Sequence, residues 1–240
     1  RGAVMTMDKL GVSASHIDLQ ESESTTVRLD ELQVAAPAGA IQLSEKHIDL
    51  EPAERVLISA ERGAARALLF RAIIGLWPWG RGRITRPVRT AMMFLPGRAY
   101  MPPGSLRAAL CYPCTSEEFD DAATGRALAA VGLERLQPLL DRTERWAQQL
   151  NDDEKQCLAI ARVILQRPQW VVLDGALELL DATSRQRVKA LFTRELASIG
   201  LINIATEGQP EEFFTRRVKL EMDPEGPTFS PSDRAAILMT

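Results

Sequence analysis

The period of the apolar positions changes along the chain. Residues 27–34 (V-R-L-D-E-L-Q-V) alternate apolar and polar with one slip, Pro37-Ala-Gly39 makes a turn, and residues 41–50 hold two further short apolar runs. That pattern predicts an antiparallel β opening. Residues 55–59 (R-V-L-I-S) have the composition of a short buried strand, and after five residues without periodicity residues 65–75 read as a helix that is apolar almost all round. Strand, tight loop and buried helix in that order can hold phosphate, because the first N–H groups of a helix have no partner within it. Residues 92–95 predict another strand, 105–111 a short helix, and 116–131 a helix opened by a Ser116-x-Glu118 cap, so this middle portion is helix-rich.

From Asn151 the α/β alternation returns. Residues 153–166 are amphipathic through Cys157, Leu158, Ala161, Ile164 and Leu165, and Pro168 ends them. Trp170-Val-Val-Leu173 is a continuous apolar run closing on Asp174, as expected of a strand buried on both faces. Residues 183–199 predict a helix, 201–205 a strand and 218–222 a last strand. Residues 1–27, rich in Ser, Glu and Asp, read as a linker or extended lead-in, and 223–240 as a loosely held tail.

Composition narrows the function classes. The 240 residues, 45% apolar and 25% charged, suit one globular domain with a small appendage, and a net charge of -3 argues against a polybasic nucleic-acid arm. No nucleic-acid partner is expected. The longest apolar stretch, residues 67–79, is broken by Arg71 and Pro78 and is too short to span a bilayer. The first thirty residues lack the basic, apolar, small-residue order of a signal peptide. Because the chain opens on Arg1 rather than Met, it is expected to have been cut or processed from something longer.

Three cysteines in a chain this large read as reduced thiols in a cytoplasmic setting. Cys111 and Cys114 form C-Y-P-C, the spacing of a redox or half-zinc motif, but no second pair follows; the plain reading is a helix end and a loop, with Pro113 stopping the helix. Charge is uneven. Residues 51–110 carry ten Arg, no Lys and three Glu, a sum of +7, which leaves -10 for the remainder. A basic face beside the tight loop suits an anionic ligand. The plain alternative is that each arginine covers apolar surface with its stem or pairs with an acid elsewhere.

The run Leu69-Phe-Arg-Ala-Ile-Ile-Gly-Leu-Trp-Pro-Trp-Gly80, then Gly82-Arg-Ile84, Phe94-Leu-Pro96, Gly104-Ser-Leu-Arg-Ala-Ala-Leu110 and Tyr112-Pro113 resembles the nucleotide-binding domain of ABC transporters. It looks most like the branch of peroxisomal acyl half-transporters and bacterial peptide or vitamin B12 relatives. Trp146, Leu150, Ala159-Ile-Ala-Arg162, Arg167-Pro168 and Trp170-Val-Val-Leu-Asp174 continue the match in order, over about residues 30–222. The resemblance implies an α/β fold: a RecA-like P-loop NTPase core with an antiparallel β subdomain and a helical subdomain. It implies a division into a lead-in (1–27), the cassette (28–222, with a helical insertion at about 105–168) and a tail (223–240).

The family's site motifs are altered here. The phosphate loop, G-x-x-G-x-G-K-[ST] in the family, aligns with Ala60-Glu-Arg-Gly-Ala-Ala-Arg-Ala67, so that only Gly63 remains. Ala60 and Ala65 add Cβ atoms where the backbone should approach phosphate, Arg66 replaces the Lys, and Ala67 removes the Mg²⁺-holding hydroxyl. The candidate cofactor-binding residues are therefore Gly63, Ala64, Ala65, Arg66, Ala67 and Leu68, and Asp174 is the candidate metal ligand. The catalytic carboxylate position holds Gly175, the switch-histidine position Thr206, and the metal-side Gln position Gly97. The signature L-S-G-G-E-Q reads Leu150-Asn-Asp-Asp-Glu-Lys155, in which Asn151, Asp152 and Asp153 make a good helix start but oppose a phosphate. Asp174 and Arg66 also have plain readings, as a helix-end cap and a paired charge.

The family works with ATP and Mg²⁺ at composite sites, where one domain's phosphate loop faces a second nucleotide-binding domain's signature. With both halves altered, the resemblance implies a cassette at the cytoplasmic face of the inner or plasma membrane, itself soluble, without ATP hydrolysis and with weak or no ATP binding. Its partners would be a transmembrane domain, in the same full-length chain, and a second nucleotide-binding domain. Two other readings stand beside it: a weakly active ATPase driving transport, in which Arg66 and Asp174 organise Mg-ATP, and a module that binds another anion through its Arg-rich face.

Overall fold

The runs that lack polar alternation come to lie side by side as parallel strands. The computed structural model describes residues 16–60, 63–206 and 211–228. In chain order its elements are β1 (Asp18–Ser22), β2 (Val27–Ala36), β3 (Gly39–Leu43), β4 (His47–Leu50), β5 (Arg55–Ala60), α1 (Gly63–Ile74), β6 (Gly80–Pro87) and β7 (Met92–Leu95). There follow β8 (Gly104–Ser105), α2 (Leu106–Cys111), α3 (Asp121–Ala130), β9 (Thr143–Glu144), α4 (Trp146–Gln149) and α5 (Asp152–Gln166). The chain closes with β10 (Trp170–Asp174), α6 (Ala182–Thr193), β11 (Gly200–Thr206) and β12 (Arg216–Asp223).

The main sheet runs β1-β6-β2-β3-β12-β5-β11-β10-β7, with β4 paired to β2. From β12 to β7 every neighbour is parallel, whereas β12-β3, β3-β2, β2-β4 and β2-β6 are antiparallel. β12 therefore joins an α/β core to an antiparallel front, the architecture expected from the sequence. Strand alternation sorts the core residues. Val171, Leu173, Leu201 and Leu57 face α2, α3, α5 and α6, while Trp170, Val172, Ile202, Ile204 and Ile58 face α1 and the antiparallel strands. Parallel strands covered by helices on both faces must be apolar on both, which is why residues 170–173 show no alternation.

Local signals set the helix ends. Asn151 accepts from the Glu154 N–H at 2.8 Å while Glu154 returns a bond to the Asn151 N–H at 2.9 Å, a closed capping box that starts α5. Arg167, in the left-handed region at φ 46°, ends it before Pro168. At the start of β10 the buried Trp170 ring donates to Thr25 O at 2.6 Å and lies against Gly200, where a Cβ would come within 2.5 Å of it.

Several expectations are corrected. The strand β1, paired in parallel with β6, lies inside the segment read as a lead-in. Residues 116–131 are two elements. A capping box between Thr115 and Glu118, rather than Ser116-x-Glu118, closes a 3-10 turn at Ser116–Glu118, and Asp120 then caps α3 by accepting from Ala123 N–H at 2.6 Å. Two capping signals in succession stop one helix and start another. The helix expected at 183–199 ends at Thr193, and residues 194–199 turn back so that Leu196 and Ile199 enter the core. β6 went unread, because its arginines hid the alternation; Arg86 is buried against the Phe94 ring and paired with Glu21 at 3.1 Å.

Candidate functional site

The parallel register brings the carboxyl ends of three strands to one place. Asp174 pairs in register with Ile204, and Thr206 with Ala60, so the ends of β5, β10 and β11 meet beside the start of α1. In open α/β sheets this is where ligands bind. Residues 61–62 of the aligned phosphate loop lie outside the described residues. Of the rest, Gly63 opens α1, Ala64 is exposed, and Ala65, Arg66, Ala67 and Leu68 are half-buried, with Ala65 and Leu68 packed on the core below.

Arg66 is the centre of the site. Its Nε lies 2.7 Å from Asp174 Oδ1, and its Nη1 donates to Glu178 Oε2 at 2.7 Å. The first contact is an ion pair whose N–H is not aimed at the oxygen; the second is an aligned, charge-assisted hydrogen bond. Glu178 uses its other oxygen, Oε1, to accept from the Thr206 N–H at 2.8 Å and the Thr206 hydroxyl at 2.7 Å. The side chains of Arg66, Asp174 and Glu178 are only 20%, 16% and 24% exposed, so their charges are weakly screened.

Glu178 reaches this point because the chain turns sharply after β10. Gly175 adopts φ 63°, its N–H donates to Ile204 O at 2.9 Å, and the 3-10 turn Ala176–Leu179 follows. Arg185 of α6 secures that turn from outside, donating to Leu177 O at 3.1 Å and Leu180 O at 2.7 Å. A Cβ at position 175 would lie 2.7 Å from Arg66 Nη1 and 3.0 Å from Glu178 Oε2. The guanidinium thus rests in the space that any side chain at 175 would need.

The two carboxyls are tuned in opposite directions. Burial pushes Asp174 above the usual carboxylate range, and the attraction of Arg66 offsets this only in part. Burial acts the same way on Glu178, but the Thr206 hydroxyl and N–H and the Arg66 guanidinium outweigh it and hold Glu178 below its ordinary value.

The residues present do not fit a triphosphate and its metal in this arrangement. Arg66, the cation at the lysine position, is already compensated by two carboxylates, and Asp174 turns Oδ1 to Arg66. Among the described residues no group of three or more His, Cys, Asp or Glu side chains is placed to hold a metal ion. Gly175 and Thr206 sit where the resemblance places the base and the switch histidine, and neither carries a group that could take a proton from water. A phosphate brought to about 4 Å from either carboxylate would meet repulsion of about 4 kcal/mol at an effective dielectric of about 20.

The other sequence candidates resolve as structural. Asp153 accepts from the Asp181 N–H at 2.8 Å and the Ser184 hydroxyl at 3.0 Å, tying α5 to the start of α6, and Asp152 pairs with Lys155 at 3.2 Å. At position 97 a Cβ would lie 3.0 Å from Asp174 O, and the Gly97 carbonyl accepts from Gln156 Nε2. Cys111 is buried at the end of α2 and Cys114 follows in the loop; burial raises both thiols, which disfavours thiolate chemistry. Of the ten arginines in residues 51–110, Arg66, Arg83, Arg86 and Arg107 are paired with carboxylates. The residue that sequence reasoning missed is Glu178. The available signal was an acid four positions after Asp174, taken together with the arginine at the lysine position of the aligned phosphate loop.

No protein-family model matches the sequence. Among curated proteins the chain is 32% identical over 205 residues to an uncharacterized ABC transporter ATP-binding protein of Synechocystis sp., covering 84% of this chain and 30% of the relative. It is 28% identical over 218 residues to ABC transporter D family member 1 of Arabidopsis thaliana, covering 85% of this chain and 16% of that protein. The human ATP-binding cassette sub-family D member 3 is 29% identical over 156 residues, with 62% of this chain and 24% of that protein covered. In each case the chain spans less than a third of its relative's length. Among solved structures, a bacterial Atm1-family ABC exporter with ATP bound superposes with a TM-score of 0.64 at 20% identity, over 82% of this chain and 36% of that one. The shared sheet and the shared sequence agree, and the chain belongs to the ABC transporter ATP-binding proteins, as an ATP-binding cassette domain.

Proposed function

We propose that this cassette no longer hydrolyses ATP, binds it weakly or not at all, and serves a membrane transporter as a structural or regulatory part. Residues 28–222 form the cassette, 105–168 its helical insertion and 223–240 a tail. It works at the cytoplasmic face of the inner or plasma membrane, with a transmembrane domain of the full-length chain and a second nucleotide-binding domain as partners. The observation that carries this reading is the Arg66 guanidinium held between Asp174 and Glu178, against a Gly175 that has no side chain. The charge that should meet phosphate is already engaged, and the carboxylate that should polarise water has no counterpart at its position.

Steady-state phosphate release with Mg-ATP tests it, on the chain alone and within its full-length protein. Release at the no-enzyme rate is expected; release well above it refutes the proposal. Thermal unfolding supplies a second measurement. A ligand present at about 100 times its dissociation constant stabilises by about 2.7 kcal/mol. In a domain this size that moves the melting temperature by roughly 5 °C or more. Millimolar Mg-ATP is expected to produce no such shift.

A further inference from the structure

We infer that the phosphate cradle of this cassette is plugged from within: the Glu178 carboxylate is the resident anion of a site built by Arg66 and Thr206, and it keeps out oxyanions such as inorganic triphosphate. The inference rests on the proposed loss of hydrolysis and gives that loss a specific occupant. Three donors from two elements converge on this carboxylate, the Arg66 Nη1 from α1 and the N–H and hydroxyl of Thr206 from the end of β11, at 2.7, 2.8 and 2.7 Å. A guanidinium, a backbone N–H and a hydroxyl aimed at one pair of oxygens form a donor set as well suited to a phosphoryl group as to a carboxylate.

The plug is delivered rigidly. Glu178 stands on a 3-10 turn whose N–H bonds to Gly175 O at 3.0 Å and whose carbonyls are held by Arg185. Gly175 completes the fit, because a Cβ there would strike the guanidinium at 2.7 to 2.8 Å and the plug itself at 3.0 Å. A side chain at 175 would therefore displace the Arg66 guanidinium from its present place and crowd the Glu178 carboxylate. Arg66, Gly175 and Thr206, three altered positions, thus meet around the one Glu178 carboxylate.

Calorimetric titration of inorganic tripolyphosphate into the whole chain and into its Glu178→Gln variant tests this. The amide keeps an acceptor for Thr206 but gives up the ion pair, so the variant is expected to bind tripolyphosphate at least tenfold more tightly than the wild type. Adding Arg66→Met should abolish the gain. Equal affinity of wild type and E178Q overturns the inference, whatever the rate of ATP hydrolysis; phosphate release by the wild type would refute the functional proposal and leave the plug to these binding curves. A second variant, E178A, vacates the cradle. Acetate or formate is expected to raise its melting temperature saturably, or to refold it if it is unfolded in plain buffer, without affecting the wild type. Failure of both anions to do either overturns the inference as well.

Discussion

Arg66→Met separates an ion-pair centre from a surface arginine. The substitution keeps a flexible apolar stem and deletes the guanidinium, leaving Asp174 and Glu178 facing an uncharged side chain. Removing one partner of a buried ion pair costs about 3–5 kcal/mol. Side chains here are 16–24% exposed, and solvent screens part of that loss, so about 2–3 kcal/mol is expected at neutral pH. At roughly 2–4 °C per kcal/mol for a domain of this size, the melting temperature should fall by about 5–10 °C.

The pH dependence makes this prediction specific. Asp174 already sits above its ordinary value through burial, with Arg66 opposing that rise, and Arg66 also helps to hold Glu178 low. Without the guanidinium both carboxyls move up. A carboxyl whose folded pKa exceeds its unfolded value stabilises the fold fully at low pH. That contribution is lost as pH rises from the unfolded pKa, near the ordinary carboxylate value, through the folded one. The R66M deficit should therefore be largest at about pH 8 and shrink at about pH 5, where a bound proton replaces the missing charge. Scanning calorimetry at both pH values reads the difference. A deficit of equal size at both, or a variant as stable as the wild type at about pH 8, refutes the reasoning. The triple variant R66M/D174N/E178Q, which removes all three charges, should recover most of the stability at every pH.

Three further outcomes follow from the geometry. Gly200→Ala forces a Cβ to within 2.5 Å of the buried Trp170 ring and should cost about 1–3 kcal/mol, seen as a lower melting temperature with an altered near-ultraviolet tryptophan signal. Asn151→Ala removes the acceptor of the Glu154 N–H at the start of α5 and should lower stability by about 1 kcal/mol in denaturant titrations; an unchanged midpoint would remove the capping box from the account. Gly175→Glu restores a carboxylate at the position of the family's base, yet it places a Cβ at φ 63° and 2.7 Å from Arg66. It should lower the melting temperature and leave phosphate release at the blank rate, and a measurable gain of hydrolysis would contradict that.

Much of the fold was legible because its signals are local. The all-apolar run before Asp174 announced a strand covered on both faces, and Asn151 followed by acidic residues announced a helix start; both appear where they were read. β6 was illegible for the opposite reason. Its arginines count as polar in any pattern, and the burial of Arg86 is made tolerable by long-range or later partners, the Phe94 ring, Glu21 and Met92 Sδ. The helix at 116–131 was overextended because the second capping signal, Asp120, went unrecognised. At the site, sequence reasoning found the altered positions but treated Arg66 and Asp174 one at a time, and it passed over Glu178.

Sequence alone was enough for the apolar parallel strands, the start of α5, the family the chain resembles and the positions at which that family's site residues are altered. Those are properties of short windows and aligned strings. What surrounds the altered residues follows from long-range contacts, because Arg66, Glu178 and Thr206 belong to different elements and become partners only when parallel pairing brings the ends of β5, β10 and β11 together beside α1. Whether a charge is free or compensated depends on what lies within a few ångströms of it in a poorly screened place, and sequence separation does not encode that distance.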